Sequence, residues 1–393
     1  MPQLPAGWEE TTLQLCTLPV QEKISLTQVS EDNYISTENM LPNIWWVVIS
    51  SGLPNINSIT KFQKWDILFS NIRTYFRKLW YATFTGGVSN DVLVFRGNYS
   101  KIYSKFLFYR LSDNSFFDYT IKTSKWTKMP RWDKEAIWNF PIHLPPLPEQ
   151  QAIAAVLSSF DDKIELLRAE NQTLEQMGQE LFKERFGKWK VGDELPEGWR
   201  VGKLGEKNFA EIIGSWIERF DREKIYLATA DVINSSISNS NTKITYQDRP
   251  SRANMQPTEK SIWFAKMQDS RKLLMFDDYS QDEIENYILS TWFAGIKTSE
   301  LSHYYLWCFV LSDDFDMIKN NMANGAVQIA VNNSNLEKIE ILIPNEEFLR
   351  KFNEFVKPLF KKIYLNNKQI TSLSATRDQL LPKLMSWEVR VKI

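Results

Sequence analysis

The chain has 393 residues and a formal net charge of −1, and 43% of its residues are hydrophobic. This length and apolar content predict two or three folded domains and exclude a disordered chain. The two cysteines, Cys16 and Cys308, lie far apart, and no apolar run is long enough for a membrane helix. We therefore expect a cytoplasmic protein without a signal peptide, a disulfide framework or a membrane span.

The sequence repeats itself in order. The stretch LPAGWEETTL at Leu4 returns as LPEGWRVGKL at Leu195. Further pairs follow in the same order: YISTENM with YLATADV, KWDILFSNIRTYFRK with KSIWFAKMQDSRK, FLFYRLSD with LWCFVLSD, and AIWNFPIHLP with NLEKIEILIP. Because the matching segments occur in the same order in both halves, an internal duplication explains them better than chance resemblance.

Each half of the chain consists of a globular module and a long helix. Short strand-like runs, interrupted by Gly, Pro, Asn and Ser, predict an α+β fold with a twisted β-sheet in each module. We expect a first module over residues 1–148, a first helix over 149–187, a second module over 188–346 and a second helix over 347–393.

Both helices carry an apolar stripe at alternating steps of three and four residues, which is typical of a coiled-coil seam. The first helical segment has eight acidic and four basic residues and the second has four acidic and ten basic residues, which favours their pairing. A stripe of this kind can also mean only that a helix packs on something else. The predicted seam residues are Ile153, Leu157, Phe160, Ile164, Leu167, Asn171 and Leu174 in the first helix, and Ile363, Asn366, Ile370 and Leu373 in the second.

The duplication limits how the helices can pair. Two similar modules, each followed by a similar helix, can pack with local pseudo-twofold symmetry only if the helices run antiparallel. The register that brings Asn171 to Asn366 also places Leu174 beside Ile363, so we predict that the two asparagines satisfy each other and fix the register. A strut of two long antiparallel helices would keep the modules at a fixed separation, which suits the reading of two sites on duplex DNA.

DNA contacts require cationic, amide and aromatic side chains in loops. For each such residue the simpler alternative is a solvated surface position without a ligand. The candidates in the first module are Arg73, Tyr75, Arg77, Lys78, Lys122, Lys125, Lys128 and Arg131. The candidates in the second module are Lys243, Arg249, Arg252, Asn254, Lys266, Gln268, Arg271 and Lys272.

Several segments together resemble the specificity (S) subunit of type I restriction-modification systems. They are the repeated Leu-Pro-x-Gly-Trp, KWDILFSNIRTYFRK, PLPEQQAIAAVLSSFDDKIELL, LFKERFGKW and RDQLLPKLMSWEVRV. The second half departs from the family pattern at PNEEFLRKF and EKSIWFAKM, so the start of the second helix is less sharply defined there.

The resemblance implies a non-catalytic DNA-recognition subunit. Segments 1–148 and 188–346 would be target-recognition domains, each reading one half of an asymmetric bipartite site in double-stranded DNA. Segments 149–187 and 347–393 would be spacer helices that set the gap and dock two methyltransferase (modification) subunits. Those partners would use S-adenosylmethionine, restriction subunits would join them, and this chain would hold no cofactor.

The residue content agrees with that expectation. The sequence has no Asn-Pro-Pro-aromatic motif, no glycine-rich S-adenosylmethionine loop and no phosphate-binding loop. With only His143 and His303 present, we expect neither a metal site nor histidine catalysis. Three alternatives stay open: the specificity part of another phage-defence system, a protein-interaction scaffold without a DNA role, and a nuclease built from dispersed Asp and Glu.

Overall fold

The structure, a computed structural model, describes residues 4–42, 46–123, 134–323 and 330–392. The chain forms two compact units, which we call unit 1 (residues 1–165 and 371–393) and unit 2 (residues 166–370). Each unit contains one module and part of both long helices. The four segments predicted from the sequence are separated at the ends of the long helices, whereas the boundary between the two units falls within those helices. The division into four segments stays a prediction.

The first module lies in unit 1 and precedes the first long helix, α5. Its strands and helices, in chain order, are β1 (Glu9–Thr12), α1 (Leu13–Cys16), β2 (Thr17–Leu18), β3 (Lys23–Ser25), β4 (Tyr34–Ile35), β5 (Ser58–Phe62), β6 (Ile67–Ser70), β7 (Leu79–Tyr81), β8 (Gly86–Val88), β9 (Val92–Gly97), α2 (Ser104–Ser112), α3 (Asn114–Lys122), α4 (Lys134–Trp138) and β10 (Pro141–Leu144), followed by α5 (Leu147–Phe186).

The second module lies in unit 2 and precedes the second long helix, α10. Its elements are β11 (Arg200–Lys203), β12 (Ala210–Ile213), β13 (Lys224–Leu227), β14 (Val232–Ile233), β15 (Ser236–Ile237), β16 (Lys243–Ile244), β17 (Ala253–Met255), β18 (Ser261–Ala265), β19 (Leu273–Phe276), α6 (Gln281–Asn286), β20 (Tyr287–Ser290), β21 (Phe293–Thr298), α7 (His303–Leu311), α8 (Asp313–Asn321), α9 (Asn333–Leu336) and β22 (Glu340–Ile343), followed by α10 (Glu346–Met385).

The same sheet occurs in both modules. Its strand order is β2-β9-β6-β7 in unit 1 and β12-β21-β18-β19 in unit 2. In the second sheet of each module, β4 pairs parallel with β8 as β13 pairs with β20. The fourth strand differs, because β3 joins β5 in unit 1 whereas β16 joins β13 in unit 2. This recurrence confirms the predicted α+β fold with two related modules.

The pairing registers show which residues are equivalent. Ile67 lies opposite Phe95, and Ile262 lies opposite Ile296 in the corresponding strands. Two residues before each of these positions the backbone turns left-handed at a non-glycine residue, with a φ of 75° at Trp65 and 54° at Lys260. Since such angles are uncommon outside glycine, their recurrence supports the duplication independently of the sequence matches.

Alternation along the central strand builds two cores in each module. Ile67 and Phe69 are buried against α2 and α3, whereas Leu68 between them is buried in the core that faces the second sheet. Successive side chains of a strand point to opposite faces, so one strand supplies both cores. In β18, Phe264 and Trp263 divide in the same way between two cores.

The two long helices have 40 residues each, which corresponds to about 60 Å. Helix α5 begins at Leu147, so Pro148 lies in its first turn, where its missing N–H costs no hydrogen bond. The contacts within unit 1 and within unit 2, described below, show that α5 and α10 run antiparallel, as predicted. Within the described ranges, neither these helices nor any other is long and apolar enough to cross a membrane.

Candidate nucleic-acid interface

An Arg-Lys pair ends the connection between the central strand and its neighbour in both modules. We call residues 71–78, between β6 and β7, turn 1, and residues 266–272, between β18 and β19, turn 2. Arg77 donates to Asn114 Oδ1 at 2.7 Å, and Arg271 lies 2.6 Å from Asp313 Oδ1. Asn114 and Asp313 each begin the second helix of a helix pair. The two arginines therefore anchor the turns in the same way.

The lysine of each pair makes a second recurring contact. Lys78 donates to the carbonyl oxygen of Thr37 at 2.6 Å, and Lys272 donates to that of Thr229 at 2.6 Å. Burial lowers the pKa of both ammonium groups. These two lysines thus hold a neighbouring loop against each turn, and their predicted DNA contact stays a prediction.

Other predicted residues point outward in the first module. Arg73 and Tyr75 are exposed in turn 1, with 57% of Tyr75 accessible, and Lys122 is exposed at the end of α3. The backbone is left-handed at Arg73, with a φ of 49°, which allows a sharp bend within turn 1. The predicted residues Lys125, Lys128 and Arg131 lie outside the described residues.

A second group of side chains, partly exposed, lies in unit 2. The Arg252 guanidinium stacks 5.0 Å from the ring centre of Trp292, whose carbonyl oxygen accepts from the Lys266 backbone at 2.9 Å. Asn254 donates to Ser215 Oγ at 2.8 Å, and Trp216 beside it is 40% exposed. We call Trp216, Arg252, Asn254, Lys266 and Trp292 the tryptophan patch. It combines two cationic groups, an amide and two aromatic rings, the groups that recognise nucleic acids.

Neither tryptophan of the patch is among the contact residues predicted from the sequence. Trp292 lies immediately before the first residue of β21, and Asp91 lies immediately before the first residue of β9. Lys266 and Asn71 likewise follow the last residues of the central strands β18 and β6. The Asn71 backbone donates to the Asp91 carbonyl at 2.8 Å, which matches the bond in unit 2. Only the strand register reveals that these positions correspond. The modules therefore share a backbone and differ in side chains at the same place.

The remaining predicted residues of unit 2 lie around this patch in sequence. Lys243 forms an exposed ion pair of 3.2 Å with Glu223, and Arg249 stacks 4.1 Å from the ring centre of Tyr246 and donates to its carbonyl. Gln268 is exposed in turn 2. Burial lowers the pKa of the Lys266 ammonium.

In unit 2, the helices α5 and α10 meet at the two seam asparagines. Asn366, only 1% exposed, donates to Asn171 Oδ1 at 2.8 Å and lies 3.0 Å from Glu170 Oε2. Asn171 in turn donates to Asn367 Oδ1 at 2.9 Å. The two side chains that the antiparallel register predicts to meet are thus hydrogen-bonded, with a third asparagine added to the group.

In unit 1, charged groups join the same two helices. Arg377 donates to Asp161 Oδ1 at 2.6 Å, and Tyr109 of α2 donates to the other oxygen of Asp161 at 2.5 Å. The carboxylate of Glu149, near the start of α5, is buried and accepts at 2.8 and 2.9 Å from Arg390, which follows the end of α10. As residue numbers rise along α5 they fall along α10, which is the antiparallel arrangement.

The structure refines the predicted seam. Val356, Phe360 and Leu381, which are buried in α10, pack into the module cores. The stripe predicted from spacing is therefore shifted in places, because α10 packs on a module as well as on its partner helix. The predicted residues Ile153, Leu157, Ile164 and Leu167 are buried, as is Asn366, while Phe160, Asn171, Leu174, Ile363, Ile370 and Leu373 are half-buried.

Some apolar residues of the helices remain exposed. Leu166 and Met177 of α5 are 59% and 46% accessible, and Phe355 and Leu365 of α10 are 61% and 52% accessible. Phe182, by contrast, packs against Tyr305 with ring centres 5.5 Å apart and belongs to the unit 2 core. The helices thus present apolar surface that the described residues of the chain leave uncovered.

The histidines lie in structural surroundings. His303 is fully buried, and its Nδ1 lies 2.7 Å from Thr298 Oγ1. His143 packs edge-on against Trp387 at 4.9 Å. Among residues 4–42, 46–123, 134–323 and 330–392, no group of three or more His, Cys, Asp or Glu side chains is placed to hold a metal ion.

Comparison with known proteins agrees with this geometry. Residues 7–176 match the family model for the type I restriction modification DNA specificity domain. The MjaIX specificity subunit of Methanocaldococcus jannaschii is 29% identical over 317 residues, which cover 74% of this chain and 70% of that protein. The HindI specificity subunit of Haemophilus influenzae is 22% identical over 458 residues, which cover 98% and 100%.

A solved structure supports the fold over the whole chain. The type I restriction-modification S subunit from M. genitalium has a TM-score of 0.53 and 13% sequence identity, with coverage of 100% of this chain and 98% of that one. The family model over residues 7–176, the relatives and the duplicated modules on two long helices agree with one another: this chain is similar to the specificity subunits of type I restriction-modification systems.

Proposed function

We propose that this chain reads an asymmetric, bipartite sequence in double-stranded DNA, with each module contacting one half. The observation that carries the proposal is the pair of equivalent backbones with different side chains at equivalent positions, such as Trp292 and Asp91. Two readers of two different half-sites need a common scaffold and different contact groups. Arg73 and Tyr75 in turn 1 and the tryptophan patch in unit 2 are the best placed groups.

The long helices are proposed to set the gap between the half-sites and to dock two methyltransferase subunits. The exposed Leu166, Met177, Phe355 and Leu365 support this role, because apolar surface of this kind is usually covered by a partner. Restriction subunits would join the same complex. We place this assembly in the cytoplasm, where its DNA would be found.

Catalysis is proposed to belong to the partners. The methyltransferase subunits would bind S-adenosylmethionine and transfer the methyl group, and this chain would position them on the DNA without a cofactor of its own. Its contribution would be the choice of site and the distance between the half-sites.

A DNA-binding assay with the purified complex tests the proposal. The chain is co-purified with its methyltransferase subunits and titrated with a duplex that carries the genomic site and with scrambled duplexes of equal length and composition. We expect binding to the genomic duplex at least a thousandfold tighter. Equal binding to all duplexes would reject sequence recognition and favour a protein-interaction scaffold.

A further inference from the structure

Each module contains a hairpin that follows β4 or β13 in the same way. Hairpin 1 comprises residues 39–42 and 46–49, and hairpin 2 comprises residues 231–239. Asn39 Oδ1 accepts from the Ser36 backbone at 2.6 Å, and Asp231 Oδ2 accepts from the Ala228 backbone at 2.8 Å. The parallel pairing of β4 with β8 and of β13 with β20 makes Asn39 and Asp231 equivalent.

The equivalence continues along the returning arm of each hairpin. The Val48 backbone donates to the Asn39 carbonyl at 2.9 Å, and the Ser238 backbone donates to the Asp231 carbonyl at 2.8 Å. Val48 therefore corresponds to Ser238, and the next residue, Ile49, corresponds to Asn239.

The lysine contacts place both hairpins beside the turns. Thr37 and Thr229, which accept from Lys78 and Lys272, lie two residues before Asn39 and Asp231. Hairpin 1 is thus attached to turn 1, which carries the exposed Arg73. Because the attachment is the same in both units, the lysines fix the hairpins in equivalent positions.

The surfaces of the two hairpins differ in chemistry. Val48 is 49% exposed and Ile49 is 68% exposed, and Trp46 before them is 37% exposed. At the matching positions hairpin 2 has the polar residues Ser238 and Asn239. Contiguous exposed apolar side chains are a mark of a surface that contacts a partner.

The difference between the hairpins indicates which partner this is. Two copies of one methyltransferase subunit would need the same surface on both modules, whereas two different half-sites need different surfaces at the same position. The exposed cation in turn 1 adds a group that attracts phosphate. Duplex DNA therefore fits hairpin 1 better than a protein subunit does.

We propose that the two hairpins are specificity-determining elements, and that Val48 and Ile49 contact the C5-methyl group of a thymine in the major groove. Thymine is the base that presents an apolar group there. At the matching positions of hairpin 2, the Ser238 hydroxyl donates to the Asp231 carbonyl at 2.9 Å and the Asn239 amide donates to Asp231 Oδ1 at 2.7 Å, so hairpin 2 offers no apolar contact there. The inference rests on the proposed bipartite DNA recognition, and it adds that the half-site of unit 1 contains at least one A·T pair.

Replacement of thymine by deoxyuridine tests the proposal, because only the methyl group is lost. The purified complex with its methyltransferase subunits is titrated with duplexes of the mapped site that carry one deoxyuridine at a time. We expect about five- to tenfold weaker binding at one or more thymines of one half-site. The variant with Val48→Ser and Ile49→Ser should bind thymine and deoxyuridine duplexes equally at those positions.

Leu15→Ser is the matched control, since Leu15 is an apolar residue of unit 1 that is 59% exposed outside the hairpin. It should leave the preference for thymine unchanged. The proposal is overturned if no deoxyuridine weakens binding, if the hairpin variant keeps the preference, or if the variant loses the methyltransferase instead. A complex without any sequence preference would reject the proposed function itself, which is a separate outcome.

Discussion

His303 shows what burial does to a single titratable group. Desolvation lowers the pKa of its fully buried imidazole to about 4, although the nearby carboxylate of Asp277 acts in the opposite direction. The neutral ring is held by Thr298, so this histidine serves the core of unit 2.

A pH dependence of stability follows. The unfolded chain binds a proton on this histidine below its ordinary pKa of about 6.5, whereas the folded chain does not until about pH 4. Above pH 6.5 the histidine is neutral in both states and costs no stability. As the pH falls below 6.5, protonation favours the unfolded chain, and the free energy of unfolding decreases by roughly 1 kcal/mol per pH unit. Thermal unfolding between pH 7 and pH 4.5 should show a shallower pH slope for His303→Gln than for the original chain. Equal slopes would contradict the burial argument.

Arg252 carries a prediction about DNA. Its guanidinium stacks on Trp292 at the edge of the tryptophan patch, so Arg252→Ala removes both a charge and a stacking surface. We expect weaker specific and non-specific binding and a salt dependence that is flatter by about one unit of slope. Titrations of the complex at several salt concentrations measure this.

Arg222→Ala is the control for that experiment, because Arg222 is an exposed arginine of the same unit that pairs with Glu285 at 3.2 Å. It should leave the slope unchanged. If Arg222→Ala and Arg252→Ala change the salt dependence of binding equally, the tryptophan patch does not contact DNA.

The contacts of individual side chains were harder to predict from the sequence than the types of residue at the candidate interface. The local basic content identified Arg77, Lys78, Arg271 and Lys272 as candidates, yet each makes a hydrogen bond or an ion pair inside its own unit. Their partners lie about 40 residues away in sequence, so no local pattern could reveal them. Trp292 was missed for the same reason.

At the scale of elements, the seam asparagines carry a stability prediction. Asn366→Ala leaves Asn171 Oδ1 without its donor in a partly buried seam and removes one of the partners of Glu170, which should cost about 1–3 kcal/mol. Replacement of both Asn171 and Asn366 by leucine should recover much of this loss, because an apolar pair suits the surrounding seam. Denaturant unfolding of the complex compares them, and a double variant no more stable than the single one would contradict this account.

The helices were the most predictable elements, since their spacing, length and charge balance agree with one another. Gly178 fits that spacing, but its reason is tertiary: an added Cβ would lie 3.0 Å from the ring of Phe360. The exact stripe on α10 was less predictable, because heptad spacing cannot tell a partner helix from a module. Edge strands such as β3 and β16 were not predictable, since their pairing depends on loops that differ between the halves.

For the whole molecule, the duplication was visible in the order of matching segments, and the structure adds a register that aligns the modules residue by residue. That register turns a general resemblance into a comparison of positions: the turns and lysine contacts are the same, while the hairpins and the tryptophan patch differ. The shared contacts stabilise the backbone of both modules. We assign the recognition of DNA sequence to the positions that differ.

Methylation mapping in the host genome, with and without the gene for this chain, tests the central claim most directly. We predict a methylated motif with two unlike halves separated by a gap of fixed length, which disappears when the gene is deleted and returns when it is restored. Exchange of residues 1–148 for the corresponding module of another specificity subunit should change one half and leave the other half and the gap intact. A genome whose methylation is the same without the gene, or a motif in which both halves change together, would contradict the account.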